Sequence, residues 1–221
     1  MRRRAALLAA GAAGAAAMLA AAPTAVAAPA TIIGGTAAGD FFSAPSYAHE
    51  AGTTATLTWA GGGSHNATAG AAGPDGKPLF RSDTIPSGTT PVRGTQYLPL
   101  GSYPFSCTIH LGMNSTLDVN SGTPQPRPTV AVKLTSTKLA KVVAKRKVAT
   151  KVTLTGTEAA TVTVRLGKKQ LGTATTAKSG GLPVKLSAKN AAALGAKRKA
   201  KLKLEASVDF GSPAKASGTL K

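Results

Sequence analysis

The chain has little of what usually marks a site. Among 221 residues there is one cysteine, Cys107, one tryptophan, Trp59, and three histidines, His49, His65 and His110. Acidic residues number 8 against 27 lysines and arginines, and only Glu158, Glu205 and Asp209 fall after Pro124. No Cys, His or Trp follows Met113. The C-terminal part therefore carries no catalytic constellation, and with almost no aromatic residues it is a poor nucleic-acid binder. After the first 27 residues, no segment approaches the roughly 18 apolar residues needed to cross a bilayer. The leader contains no cysteine, which excludes lipoprotein anchoring.

What is present begins with that leader. "MRRRAALLAAGAAGAAAMLAAAPTAVAAPA" places three arginines before a run of Ala, Leu, Gly and Met, then small residues at Ala25 to Ala27. This is the layout of a signal peptide over residues 1–27, cleaved after Ala27, and it predicts a secreted, extracytoplasmic protein. The arginines do not decide between the general secretory and the twin-arginine route. A lone thiol exported to an oxidising compartment is exposed to oxidation, so Cys107 needs a reason to be kept.

Charge divides the remainder. Residues 28–124 hold three basic and five acidic side chains, a net of −2, whereas residues 125–221 hold 21 basic and three acidic, a net of +18. Such different halves read as two modules, at 28–120 and 130–221, joined by a proline-rich linker at 121–129. Both are all-β. In the first, "TATLTW" alternates as a half-buried strand does, a second strand begins near His65, and "GTQYLPLGSYPFSC" reads as a strand to Leu98, a turn, and a strand from Tyr103. On that last strand Tyr103, Phe105 and Cys107 share a face, and "STLDV" closes the module. Trp59 reads as core and His49 as part of a solvated loop.

Cys107, His110 and Met113 fall within seven residues, in the turn between two of these strands. A thiolate, an imidazole and a thioether on one short loop can converge on one ion, and His65 supplies a fourth donor from another strand. Two His nitrogens and one Cys sulfur in a plane, with a weak axial Met, suit copper of the type 1 kind. Structural zinc asks for four strong Cys or His ligands and fits less well.

With "GGSHNAT" around the first ligand and "GSYPFSCTIHLGM" around the other three, residues 31–120 resemble a cupredoxin, and the short Cys-x-x-His-x-x-Met loop is more similar to amicyanin than to plastocyanin. The resemblance implies a Greek-key β-sandwich with one copper held by His65, Cys107, His110 and Met113. It also implies a bond from Asn66 that ties the two ligand loops together, here through Thr108, and His110 as the electron port, with Leu111, Gly112 and Leu98 or Pro99 around it. Ile109 stands where many relatives carry proline.

Three histidines are too few for the extra copper centres of multicopper oxidases or nitrite reductases, and a binuclear electron-transfer copper needs a second Cys. With every position filled by protein, no open site is left for a substrate. The expectation is a non-enzymatic carrier of single electrons between protein partners, an oxidase, reductase or cytochrome. The alternatives are a copper-sequestering or delivery protein without electron relay, and a polyanion-binding envelope module whose copper site is vestigial.

The basic module offers alternating strands at "TVAVKLTS", "VATKVTLTG", "ATVTVRLG" and "AKLKLEASV", spaced roughly as in an immunoglobulin-like sandwich. "SAKNAAALG" reads as a short helix capped by Ser187 and stopped at Gly195. The clusters at Lys145–Lys147, Lys168–Lys169 and Lys197–Lys203 must face solvent. They serve either solubility and edge protection or attraction to an anionic cell-wall polymer, a lipid surface or an acidic redox partner.

Overall fold

Period-two alternation sets the first unit. The computed structural model describes residues 28–36 and 39–221, and the leader read at 1–27 lies outside the described residues. Nine strands follow: β1 (Thr31–Thr36), β2 (Gly39–Phe42), β3 (Ser46–Ala51), β4 (Ala55–Trp59), β5 (Thr68–Ala69), β6 (Arg81–Ser82), β7 (Gly88–Arg93), β8 (Gly101–Ser106) and β9 (Asn114–Gly122). They hydrogen-bond in the order β2-β1-β4-β7-β6-β5-β8-β9-β3, with parallel pairs β1–β4 and β3–β9 and the rest antiparallel. Phe42 on β2 and Phe105 on β8 meet edge to face with ring centroids 4.8 Å apart. Six strand spacings would hold them about 29 Å apart in a flat sheet. The sheet is therefore bent over on itself, and the two expected layers are parts of one continuous sheet.

Its core is the inward face of each strand. Ala55, Leu57 and Trp59 on β4, Val92 on β7, Phe105 on β8 and Leu117 and Val119 on β9 are all buried. Each large apolar side chain buried in this way stabilises by about 1.5–3 kcal/mol. His49 belongs to this interior. Against the expectation of a solvated loop it is fully buried on β3, and its Nδ1 accepts the Ala30 N–H at 3.0 Å. The strand expected from Gly94 to Leu98 does not form, and the preceding strand β7 ends at Arg93. Gly94 turns the chain at φ 101°, and Thr95–Tyr97 form a buried single turn of 3-10 helix.

The second unit is a sandwich of two sheets. Strands β10 (Thr129–Leu134), β11 (Lys147–Thr155) and β14 (Gly180–Lys185) form one sheet, in the order β10-β11-β14. Strands β12 (Ala160–Leu166), β13 (Lys169–Thr176), β15 (Ala200–Val208) and β16 (Ala214–Leu220) form the other, in the order β13-β12-β15-β16. Valines and leucines such as Val132, Val148, Val152, Val164, Leu202 and Leu204 fill the space between. Helix α2 (Ala188–Gly195) begins as expected, with Ser187 Oγ accepting the Asn190 N–H. Helix α1 (Leu139–Lys145) was not expected from the sequence.

The two units touch through ions and one ring. Lys77 and Arg81 of the first unit reach Asp209 of the second at 2.7 and 2.9 Å, and Arg93 pairs with Glu158. Burial alone would raise the Asp209 carboxyl, but the Lys77 hydrogen bond and the charges of Arg81, Lys77 and Arg93 outweigh it and hold it below its ordinary value. Phe210 is 1% exposed, with Arg81 over its ring at 4.6 Å and its N–H donating to Asp75 Oδ2 at 3.0 Å. It sits at φ 62°, a strained position for a bulky residue. Gly94 leaves the space for that ring, since a Cβ there would stand 2.7 Å from Phe210.

Candidate metal centre

Three segments of the first unit carry the site. His65 follows the glycine turn after β4 and is held by paired backbone bonds, its N–H to Ile85 O and Ile85 N–H to its own carbonyl, each 2.9 Å. Cys107 follows directly on β8, on the face that buries Phe105. The loop then closes on itself, with the Cys107 N–H donating to Met113 O at 3.0 Å and the Met113 N–H to His110 O at 3.4 Å. His65 is fully buried, Cys107 is 4% and Met113 2% exposed, and His110 is partly exposed.

The donor atoms converge. Cys107 Sγ lies 3.8 Å from His65 Nδ1 and 3.8 Å from His110 Nδ1, and the two Nδ1 atoms are 3.0 Å apart. A point equidistant from the corners of that triangle lies about 2.1 Å from each, the length of a metal–imidazole bond, about 2.0–2.1 Å. The group of three thus fits one ion, and two imidazoles with one thiolate are the strong donors of a type 1 copper site. Met113 is buried in the same cluster as Cys107.

Neighbouring residues hold these ligands still. The Asn66 side-chain amide donates to Thr108 Oγ1 at 2.8 Å and to Thr84 Oγ1 at 3.1 Å, and the Thr108 N–H donates back to Asn66 Oδ1 at 2.9 Å. The expected tie through Thr108 is thus present, and it locks the His65 segment to the Cys107 loop. Trp59 does more than the core role read for it. Its ring stacks on His65 with centroids 3.4 Å apart and planes at 28°. Gly34, opposite Trp59 in the β1–β4 pair, leaves room for the indole, because a Cβ there would overlap its ring. Nothing in the sequence pattern separated this tryptophan from any other core aromatic.

The surroundings of His110 differ in part from expectation. Leu111 is fully exposed and Ile109 is 49% exposed, so both flank the ligand that reaches solvent. Leu98 is fully buried, and with Pro99 it lies before the start of β8, at the end remote from Cys107. Six strand residues, about 20 Å, separate the two ends of β8, so neither residue can border His110. The interface with the sandwich also lies at the remote end. Gly88 pairs with Trp59 near the site, while Arg93 at the other end of β7 pairs with Glu158.

No family model matches the chain, and no curated protein matches it. Among solved structures, the chain is similar to a reduced Cu(I) form of an amicyanin variant, at 16% identity and a TM-score of 0.34, over 42% of this chain and 82% of that one. It is similar to the oxidised state of another amicyanin variant at 17% identity and a TM-score of 0.34, again over 42% and 82%. A purple cupredoxin from Nitrosopumilus maritimus is similar at 25% identity and a TM-score of 0.33, over 42% of this chain and 99% of that one.

Proposed function

We propose that the first unit is a cupredoxin that binds one copper ion and passes single electrons between protein partners, and that the chain is exported. The observation that carries this is the triangle of His65 Nδ1, His110 Nδ1 and Cys107 Sγ, whose size matches one ion bound to all three. When bound, copper supplies one-electron exchange between Cu(I) and Cu(II). In this reading Met113 would hold the ion as a fourth, weaker donor, supported by its burial beside Cys107. The buried thiol and imidazole are shielded from water, and the Asn66 bonds keep the donor positions alike in both oxidation states, which fast exchange requires. His110, partly exposed between Ile109 and Leu111, offers the route in and out.

The test is to add Cu(II) to purified protein and record visible and electron paramagnetic resonance spectra. An intense band with narrow copper hyperfine splitting, lost in Cys107→Ala, is the expected result, and a folded sample that stays colourless in excess Cu(II) refutes the reading. Met113→Gln retains the colour and lowers the reduction potential. Negligible electron self-exchange with tight Cu(I) retention would mark storage instead of relay. Export is supported by Arg2 to Arg4, the apolar run and Ala25 to Ala27. Amino-terminal sequencing of protein from the culture medium or cell wall is expected to begin at Ala28.

A further inference from the structure

The sandwich sorts its charges by position. Its three acids are all committed: Glu158 and Asp209 to Arg93, Lys77 and Arg81 at the interface, and Glu205 to Arg165 at 3.0 Å. They are the only acidic side chains in a stretch with 21 lysines and arginines. The outer face of β10-β11-β14 and the end of the sandwich away from the interface are left with cations alone.

On that face the register sets Lys133 opposite Lys151 and Lys147 opposite Lys185, all four exposed. Opposed residues in antiparallel strands stand about 4.5–5.5 Å apart at Cα, and like charges so placed are destabilising. Folding does not demand lysine there. The outer face of the other sheet fills two such positions with threonine pairs, Thr161 with Thr175 and Thr163 with Thr173, and where it sets Arg165 opposite Lys203 it places Glu205 against Arg165 at 3.0 Å. The cations then turn a corner. Lys147 follows Arg146 at the end of α1, and Lys197 and Arg198 beyond α2 rim the groove between the two helices. The path runs from a flat sheet face over a helical end.

We propose that this path binds a flexible polyanion of phosphodiester units, laid along the lysine pairs and over the helical end. Lysine makes up 17 of the 21 cations, and its compact ammonium suits phosphate contacts that need no fixed fork geometry. The one aromatic residue after Pro124 is Phe210, buried in the interface, so there is no platform on which nucleic-acid bases stack. The exposed large apolar residues, Ile33, Phe41, Leu100, Ile109 and Leu111, all belong to the first unit, so the sandwich offers no anchor to a bilayer. A flat membrane would meet only part of a bent path, whereas a flexible polymer follows all of it. The proposal concerns the sandwich and does not depend on copper.

The test titrates copper-free protein with poly(glycerol phosphate) over a series of salt concentrations, beside phosphatidylglycerol vesicles. Binding is expected to weaken linearly in log–log form with salt. Replacing Lys133, Lys147, Lys151 and Lys185 together by Gln is expected to make that slope shallower by about three, at 0.7–0.9 per phosphate contact. Replacing Lys169, Lys201, Lys203 and Lys215 on the other sheet removes the same charge and is expected to leave the slope within one unit of the original. Equal losses from the two sets would show that net charge and not this path binds. Vesicle binding as tight as polymer binding, or no polymer binding at 0.1 M salt, would overturn the proposal as well. Failure of a separate portion of the protein to develop a copper spectrum on adding Cu(II) bears on the first unit alone.

Discussion

Asn66 and Thr108, 42 residues apart, are joined by two hydrogen bonds in opposite senses, at 2.8 and 2.9 Å. They make the segment of the first ligand and the loop of the others one piece. Asn66→Ala removes both bonds and the one to Thr84. Truncating such a partly buried partner costs about 1–3 kcal/mol of stability, and loosening the support of a metal ligand costs about 10–100-fold in affinity. Urea unfolding and competition against a copper chelator measure the two.

His49 makes stability fall in acid. Burial lowers its pKa from the ordinary 6.5, against smaller raising effects from the Thr53 backbone, Glu50 and the Thr95 backbone. Below 6.5 the unfolded chain takes up a proton that the folded chain resists, so stability declines as pH falls from above that value and levels off below the folded pKa. Asp209 adds loss at lower pH, because its depressed carboxyl is stabilising above its ordinary 3.8 and ceases to be so as pH drops through the folded value. The difference in melting temperature between the parent and His49→Gln, followed from pH 8 to 5, is expected to shrink toward low pH.

Phe210 fixes the sandwich against the first unit. Phe210→Ala empties the space beside Gly94 and Arg81. Loss of a buried aromatic costs about 3 kcal/mol. Small-angle scattering is expected to show a larger radius of gyration for this variant, and for Gly94→Ala, whose Cβ meets the same ring. An unchanged radius for both would show that the ion pairs suffice.

Arg146 ends α1 in the left-handed region, at φ 48°. That conformation costs a residue with a Cβ about 1–2 kcal/mol. Arg146→Gly is expected to raise the unfolding free energy by about 0.5–1 kcal/mol, read as a higher urea midpoint at unchanged slope, after allowing for the greater chain entropy of glycine.

Leu111 is exposed beside the most accessible ligand. Leu111→Glu is expected to leave the copper spectrum intact while slowing electron self-exchange about tenfold through repulsion between like-charged faces. Nuclear magnetic resonance line widths of mixed oxidation states give the rate.

The meeting of Cys107 with His110 was legible because the two lie three residues apart on one turn, and that of His65 because a glycine turn precedes it and Asn66 follows. His49 was not, since the residues around it in "SYAHEAG" show no alternation to betray a strand paired on β9. "GTQYLPL" reads as a strand up to Leu98, but the positive φ at Gly94 redirects the chain into a helical turn at Thr95–Tyr97. Helix α1 was hidden by adjacent Val142 and Val143, which favour strands. The interface joins Asp75 and Lys77 to residues more than 130 positions away, and no local pattern records such a meeting.

The distribution of charge gives the molecule a permanent dipole, with −2 over residues 28–124 and +18 over residues 125–221. For the electron exchange proposed at His110, an acidic partner would turn the chain sandwich-first, so the electrostatic torque would bring the wrong end forward. In that reading a productive encounter comes from short-range apolar contact at the exposed Leu111 and Ile109, and added salt, by relaxing that torque, is expected to speed it.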